Sequence, residues 1–232
     1  AARLGYQNWA ERSLASKMAD NVDAVEQLLE ELRAAALPIA KQEIEELRDC
    51  ARRHGATEAD AFSPWDVSYW AEKLRQERFN LNQEELRPWF PLPQVLDGLF
   101  HLCERLFSIQ IEAADGEAPI WHQDVRFFRV RDEEGLPLAA FYLDPFSRPA
   151  SKRGGAWMDE CLNRSRNSEG ELTHPVAYLI CNQTPPAGDV PSLMSFEEVE
   201  TLFHEFGHGL QHMLTTVEHP QAAGINNVEW DA

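Results

Sequence analysis

The chain has 232 residues, 44% of them hydrophobic and 10% aromatic, with 39 acidic against 21 basic side chains and a formal charge of −18. This composition builds a packed core and excludes disordered, fibrous and collagen-like classes. The acidic surplus repels phosphate backbones and anionic lipid, and the longest apolar runs, at 138–143 and 176–181, are strand-sized, far short of the ~20 residues of a membrane helix. Nucleic acid and membrane are therefore not expected partners.

Apolar residues recur at helical spacing over 6–37 (Leu14, Met18, Val22, Val25, Leu28, Leu29, Leu32), and Pro38 is expected to close this helix and open another that stops at Gly55. Ser63-Pro64-Trp65-Asp66 offers a capping Ser, a Pro at the first helical position and an acid three residues after the cap, starting a third helix that reaches about Arg78. Its Trp65, Tyr69 and Trp70 read as core packing. A fourth helix, about 92–107, carries Val95, Leu96, Leu99, Phe100, Leu106 and Phe107 on one broad stripe.

Near residue 109 the period changes. Segments 125–130 and 138–143 read as strands joined by the turn Asp132-Glu133-Glu134-Gly135, and 176–181 reads as a third strand. This third strand is a candidate cleft edge, along which a peptide could add through backbone hydrogen bonds. Between the strands, 145–175 reads as an irregular basic segment with Arg148, Lys152, Arg153, Arg164 and Arg166, expected to be solvated and paired with nearby carboxylates. Ser195-Phe196-Glu197-Glu198 is a capping box for a last helix running through about Leu214. The expected fold is α+β and predominantly helical, with a helical portion at 1–110 and a sheet plus terminal helix at 111–232.

Cys50, Cys103, Cys161 and Cys181 form no Cys-x-x-Cys pair, so reduced thiols and an intracellular protein are expected. The opening Ala1-Ala2-Arg3-Leu4 has neither an initiator Met nor an apolar leader, which suggests an excerpt from something longer.

The last helix contains His204-Glu205-Phe206-Gly207-His208, the His-Glu-x-x-His pattern of zinc hydrolases. At about 100° per residue, His208 lies about 40° around the helix from His204 and one turn along it, so both imidazoles can reach one ion. Glu205, about 100° from His204, is too offset to be a primary ligand but can take a proton from a water held by the metal. The apolar neighbours Leu202, Phe203, Phe206, Leu210 and Met213 suggest that the histidines lie against the interior. Gly207 costs about 1 kcal/mol against Ala inside a helix, an expense that suggests close approach of another segment there.

A catalytic zinc needs a third protein ligand. His212 lies about 12 Å along the axis from His204, too far to share the ion, and is expected to support or simply to pack. Downstream, Glu218, His219, Glu229 and Asp231 remain, and spacing alone favours Glu229.

Three stretches carry a resemblance: Ala177-Tyr-Leu-Ile-Cys-Asn-Gln-Thr-Pro-Pro186, the run from Pro191 through His208, and Gly224-Ile225 with Val228-Glu-Trp-Asp-Ala232. Together they resemble the thimet oligopeptidase and oligopeptidase A family. Arg87-Pro-Trp-Phe-Pro-Leu92, Trp121-His-Gln-Asp-Val-Arg126 and Lys152-Arg-Gly-Gly-Ala-Trp157 are similar to the same family in the same order. The resemblance implies a zincin-like helix beside a small sheet and a metalloendopeptidase of short, unstructured peptides holding one zinc per chain. His204 and His208 would be ligands and Glu205 the catalytic base. The family's third ligand is a Glu two residues after the Trp-Asp-Ala stretch, which places it beyond Ala232 and makes Glu229 an unexpected ligand. The implied protein is cytoplasmic or in an organelle matrix, monomeric, and larger than these residues. The alternative is a catalytically inactive peptide-binding or scaffold fragment, because the third ligand would be missing.

Overall fold

The computed structural model describes residues 1–80 and 82–226. It has two compact units, Ala1–Asn82 and a second that begins at Gln83. The first unit is helical. Asn8 caps α1 (Trp9–Leu14) by accepting from the Glu11 amide, and Asn21 caps α2 (Val22–Arg53) by accepting from the Ala24 amide. Helix α2 runs uninterrupted for 32 residues with Pro38 inside it, so the expected division at Pro38 is not made. The break falls instead at 15–21, where Asn21 offers an alternative partner for the backbone. Pro38 forfeits one intrahelical bond, which the turns on either side tolerate. Ser63 begins α3 (Pro64–Phe79) as expected, its amide donating to Asp66 Oδ2 at 2.7 Å. Helices α2 and α3 bury Leu47, Cys50, Ala51 and Trp70 together with Ala59, whereas Trp65 and Tyr69 are exposed.

The second unit is α+β. After α4 (Gln83–Leu86), α5 covers Leu92–Phe107. The strands are β1 (Ile109–Ala113), β2 (Arg126–Asp132), β3 (Pro137–Phe146), β4 (Trp157–Leu162), β5 (Ser165–Arg166), β6 (Leu172–Thr173) and β7 (Val176–Gln183), and α6 is Phe196–Met213. Strands β5 and β6 form a separate small ribbon; the others form a mixed sheet in the order β1-β2-β3-β7-β4. Pairing is antiparallel except between β3 and β7, which run parallel.

Two expectations change here. The segment 145–175 is not wholly irregular, because β4 lies within it. Strand β7 is not an edge: β3 pairs with one side and β4 with the other, and among the described residues β4 closes the sheet at that end. Continuous apolar runs such as 176–181 mark a strand covered on both faces, as interior strands are. The amphiphilic β4 carries charges at Asp159 and Glu160 and gives little apolar signal.

One sheet face packs α5 and α6. Phe128, Val130, Phe141, Leu143, Leu179 and Cys181 meet Leu96, Leu99 and Cys103 of α5 and Leu202, Phe206 and Met213 of α6. Phe141 is the hub, with ring centroids 4.8 Å from Phe128, 5.5 Å from Phe206 and 6.0 Å from Phe100. The helices enter this face in register. The Leu92 amide donates to Ser192 O at 2.8 Å, the Met194 amide to Phe90 O at 2.9 Å, and Arg87 reaches Glu198 at 3.1 Å.

Truncating Phe141, which is 0% exposed, to Ala is expected to cost about 3–5 kcal/mol in urea denaturation. Leu106→Ala, on the same helical stripe of α5 but 66% exposed, is expected to cost under about 0.5 kcal/mol.

Candidate active site

Helix α6 starts at a reciprocal capping box: the Ser195 amide donates to Glu198 Oε2 at 2.6 Å and the Glu198 amide donates to Ser195 Oγ at 3.2 Å. Its buried side carries Leu202, Phe206, Gly209 and Met213. The close approach to the sheet is made at Gly209, where a Cβ would stand 3.0 Å from Leu179 Cδ2. At Gly207 a Cβ would meet nothing within 4 Å among the described residues, so within them the close approach is made at Gly209 and not at Gly207. The histidines also sit differently from expectation. Glu205 is buried at 8% exposure, while His208 is half-buried and His204 exposed.

The imidazoles converge as the spacing requires. His204 Nε2 and His208 Nε2 are 3.1 Å apart, with the ring planes nearly perpendicular at 89°. Two imidazole nitrogens directed at one point, with a carboxylate on the adjoining flank, are a donor set suited to a borderline divalent cation such as zinc. Burial, and after it the charge of Glu205, pushes the Cys181 thiol up to about 12. Cys181 therefore remains a neutral packing group behind the carboxylate and no nucleophile.

His212 is fully buried and bonds through Nε2 to Leu162 O at 2.9 Å, tying α6 to the end of β4. The chain returning after α6 lies against it. At Gly224, with φ +61°, a Cβ would fall 2.4 Å from His212 Nδ1, so only glycine fits by both space and backbone conformation. Two residues on, Asn226 donates to Glu160 at 2.6 Å and to Asn163 at 2.7 Å. Of the downstream candidates, Glu218 is engaged by Arg166 at 2.6 Å, and Glu229 and Asp231 lie outside the described residues. Gly224 and His212 were missed as a pair, although glycine in a stretch following a metal-motif helix was a readable signal.

The sequence profile of peptidase family M3 matches residues 1–232. The chain belongs to peptidase family M3. It is 55% identical to organellar oligopeptidase A, chloroplastic/mitochondrial, of Arabidopsis thaliana, over all of this chain and 30% of that protein. It is 43% identical to oligopeptidase A of Escherichia coli and 29% identical to saccharolysin of Saccharomyces cerevisiae, in each case over all of this chain and 34% of the relative. The chain thus spans about a third of the length of these relatives.

In this M3 chain the basic segment is not simply solvated. Asp144, 1% exposed, accepts two bonds from Arg148 at 2.7 and 2.8 Å, one from Lys152 at 3.0 Å and one from the Trp121 indole at 3.0 Å. Lys152 also donates to the carbonyls of Asp144, Phe146 and Cys181. Asp144 alternates with Leu143 along β3, so this cluster occupies the sheet face opposite α6 and points away from the histidines. Burial pushes the Asp144 carboxyl up, but the bonds from Arg148, Trp121 and Lys152 outweigh it and hold the group below the usual carboxylate range. Burial likewise pulls the Lys152 ammonium below its ordinary value, against the attraction of Asp144.

A depressed carboxyl stabilises the fold above its unfolded pKa of about 3.9, and this contribution is lost as pH falls through the lower folded value. Urea midpoints followed downward from about pH 5 should therefore fall less steeply in Asp144→Asn than in the parent chain. Glycine replacements should separate by sign. Gly207→Ala is expected to gain up to about 1 kcal/mol and raise the melting temperature, whereas Gly224→Ala lowers it through the clash with His212.

Proposed function

We propose that these residues form the metal-binding and general-base portion of a zinc metalloendopeptidase that hydrolyses short, unstructured oligopeptides. The observation that carries the reading is the convergence of His204 and His208 at 3.1 Å beside buried Glu205, in a member of peptidase family M3. His204 and His208 would hold one zinc through their Nε2 atoms. When bound, zinc supplies Lewis acidity for the scissile carbonyl and for a water molecule.

The remaining chemistry belongs to the chain. Glu205, one residue from the first ligand and on the flank of α6, takes the proton of the attacking water and passes it to the leaving amine. Its burial, at 8% exposure, puts it on the side of α6 that adjoins Leu202 and Phe206. The outer backbone of β4, which His212 couples to α6, is where an extended peptide would add as a further strand. This replaces β7 in that role.

Two imidazoles do not complete a catalytic zinc site. By resemblance the third ligand follows Ala232, so activity is assigned to the longer protein, and the 232-residue fragment alone is expected to be inactive. Four unpaired cysteines and the absence, among the described residues, of any helix long and apolar enough to cross a membrane are compatible with a reducing compartment, the cytoplasm or an organelle matrix. A monomer is the proposed state.

In the full-length protein, Glu205→Gln should keep its zinc while losing about 10²–10⁴ in peptide hydrolysis, and His204→Ala should lose one equivalent of zinc relative to the parent protein. Elemental analysis and a fluorogenic peptide assay read the two effects separately. A Glu205→Gln protein with zinc and an undiminished rate would refute the assignment.

A further inference from the structure

The His-x-x-x-His arithmetic of α6 recurs in the helical unit with a different first ligand. Cys50 and His54 lie four residues apart at the end of α2, so their side chains share one face. Glu77 of α3 faces them. The ligand atoms of Cys50, His54 and Glu77 all lie within 4.8 Å of one another, and among the described residues this is the one group of three such side chains so gathered. His54 Nε2 is 2.6 Å from Glu77 Oε1, and the other carboxylate oxygen, Oε2, accepts from Arg53 at 2.7 Å. The His54 ring is also held by Trp70, with centroids 5.6 Å apart.

We propose that Cys50, His54 and Glu77 form a second divalent-metal site, taking zinc or a similar borderline cation through one sulfur, one nitrogen and one oxygen. The donor set is chemically matched. Thiolate and imidazole select zinc, cobalt or cadmium over magnesium and calcium, and a single carboxylate oxygen completes three protein ligands. Solvent supplies the fourth position, because His54 and Glu77 are exposed while Cys50 is fully buried. Arg53 plays the part that outer partners of metal carboxylates commonly play, fixing one oxygen so that the other points at the ion. On binding, the Cys50 S–H bond breaks, its proton leaves to solvent, and the sulfur's electron pair forms the metal–sulfur bond.

A bare thiolate would be disfavoured here, a cost that a bound cation relieves. Burial, followed by the charge of Glu77, pushes the Cys50 thiol up, and a dication would neutralise the two anionic ligands together. The site would clip the end of α2 to α3 around Trp70. Its test separates it from the α6 site without reference to activity, because His204 and His208 bring no sulfur.

The experiment is a titration of the full-length, metal-stripped protein with Co²⁺, followed by near-ultraviolet absorption. The expected result is a thiolate-to-cobalt charge-transfer band that is complete once two equivalents are bound, one of them at the sulfur-free α6 site, disappears in Cys50→Ser with the loss of one bound cobalt, and is bleached by Zn²⁺. His54→Ala and Glu77→Gln, both at exposed positions, should each weaken cobalt binding about 10-fold or more. Circular dichroism identifies any Cys50→Ser protein that fails to fold, and the two exposed variants then decide. The parent protein showing no band, a band of unchanged strength in Cys50→Ser, or an unchanged cobalt affinity of the band in both exposed variants, overturns the site.

Discussion

Burial of one stripe of α6 against the sheet is the constraint from which the candidate site follows. Leu202, Phe206, Gly209 and Met213 cluster on one side of the helix. At about 100° per residue, Glu205 stands about 70° from the centre of that stripe, His208 about 130° and His204 about 170°. The order of burial is the same: Glu205 buried, His208 half-buried, His204 exposed. Rotating α6 by a quarter turn would drown a histidine or expose the carboxylate. The apolar contacts of Phe206 with Phe141 and of Gly209 with Leu179 therefore orient chemistry to which they contribute no atom.

The rest of the second unit keeps that rotation fixed. Paired backbone before α5 and α6 starts both helices from one place, and Glu198 serves at once as capping partner of Ser195 and acceptor for Arg87. At the other end of α6, His212 holds the end of β4, and Gly224 lies directly on its imidazole. The helix is thus tied at both ends, and the edge strand and the returning chain are tied to it. A buried polar contact such as His212 to Leu162 specifies a single arrangement because leaving either group unpaired costs more than the bond itself contributes.

The opposite sheet face is organised by charge. Asp144 is neutralised by Arg148 and Lys152 in the interior, an arrangement that is costly to assemble from charged groups taken out of water and costlier still to break by removing one member. Its residues come from β3, from the loop before β4 and, in Trp121, from the segment before β2, on the sheet face away from the histidines.

Local signals were legible wherever the backbone carries its own instructions. Ser63 and Ser195 announced their helices, Leu92–Phe107 followed from its stripe, and the turn before β3 and the His-Glu-x-x-His spacing were plain, since each depends on residues within a few positions of one another. Pro38 misled because propensity is a weak preference that a long helix with sound turns on both sides can override. The place of β7 in the sheet, the burial of Asp144, the inward turn of Glu205 and the meeting of His212 with Gly224 were not legible, because each is a contact between segments distant in the chain. The order of residues along the chain was enough to mark His204 and His208 as candidates to share a metal ion and Glu205 as a candidate to move a proton, because their spacing is local to one helix. Which way those atoms face and which strand lies beside them emerged from packing alone, because helix rotation and strand order are set by the total burial of apolar surface, a property of the whole unit and of no single segment.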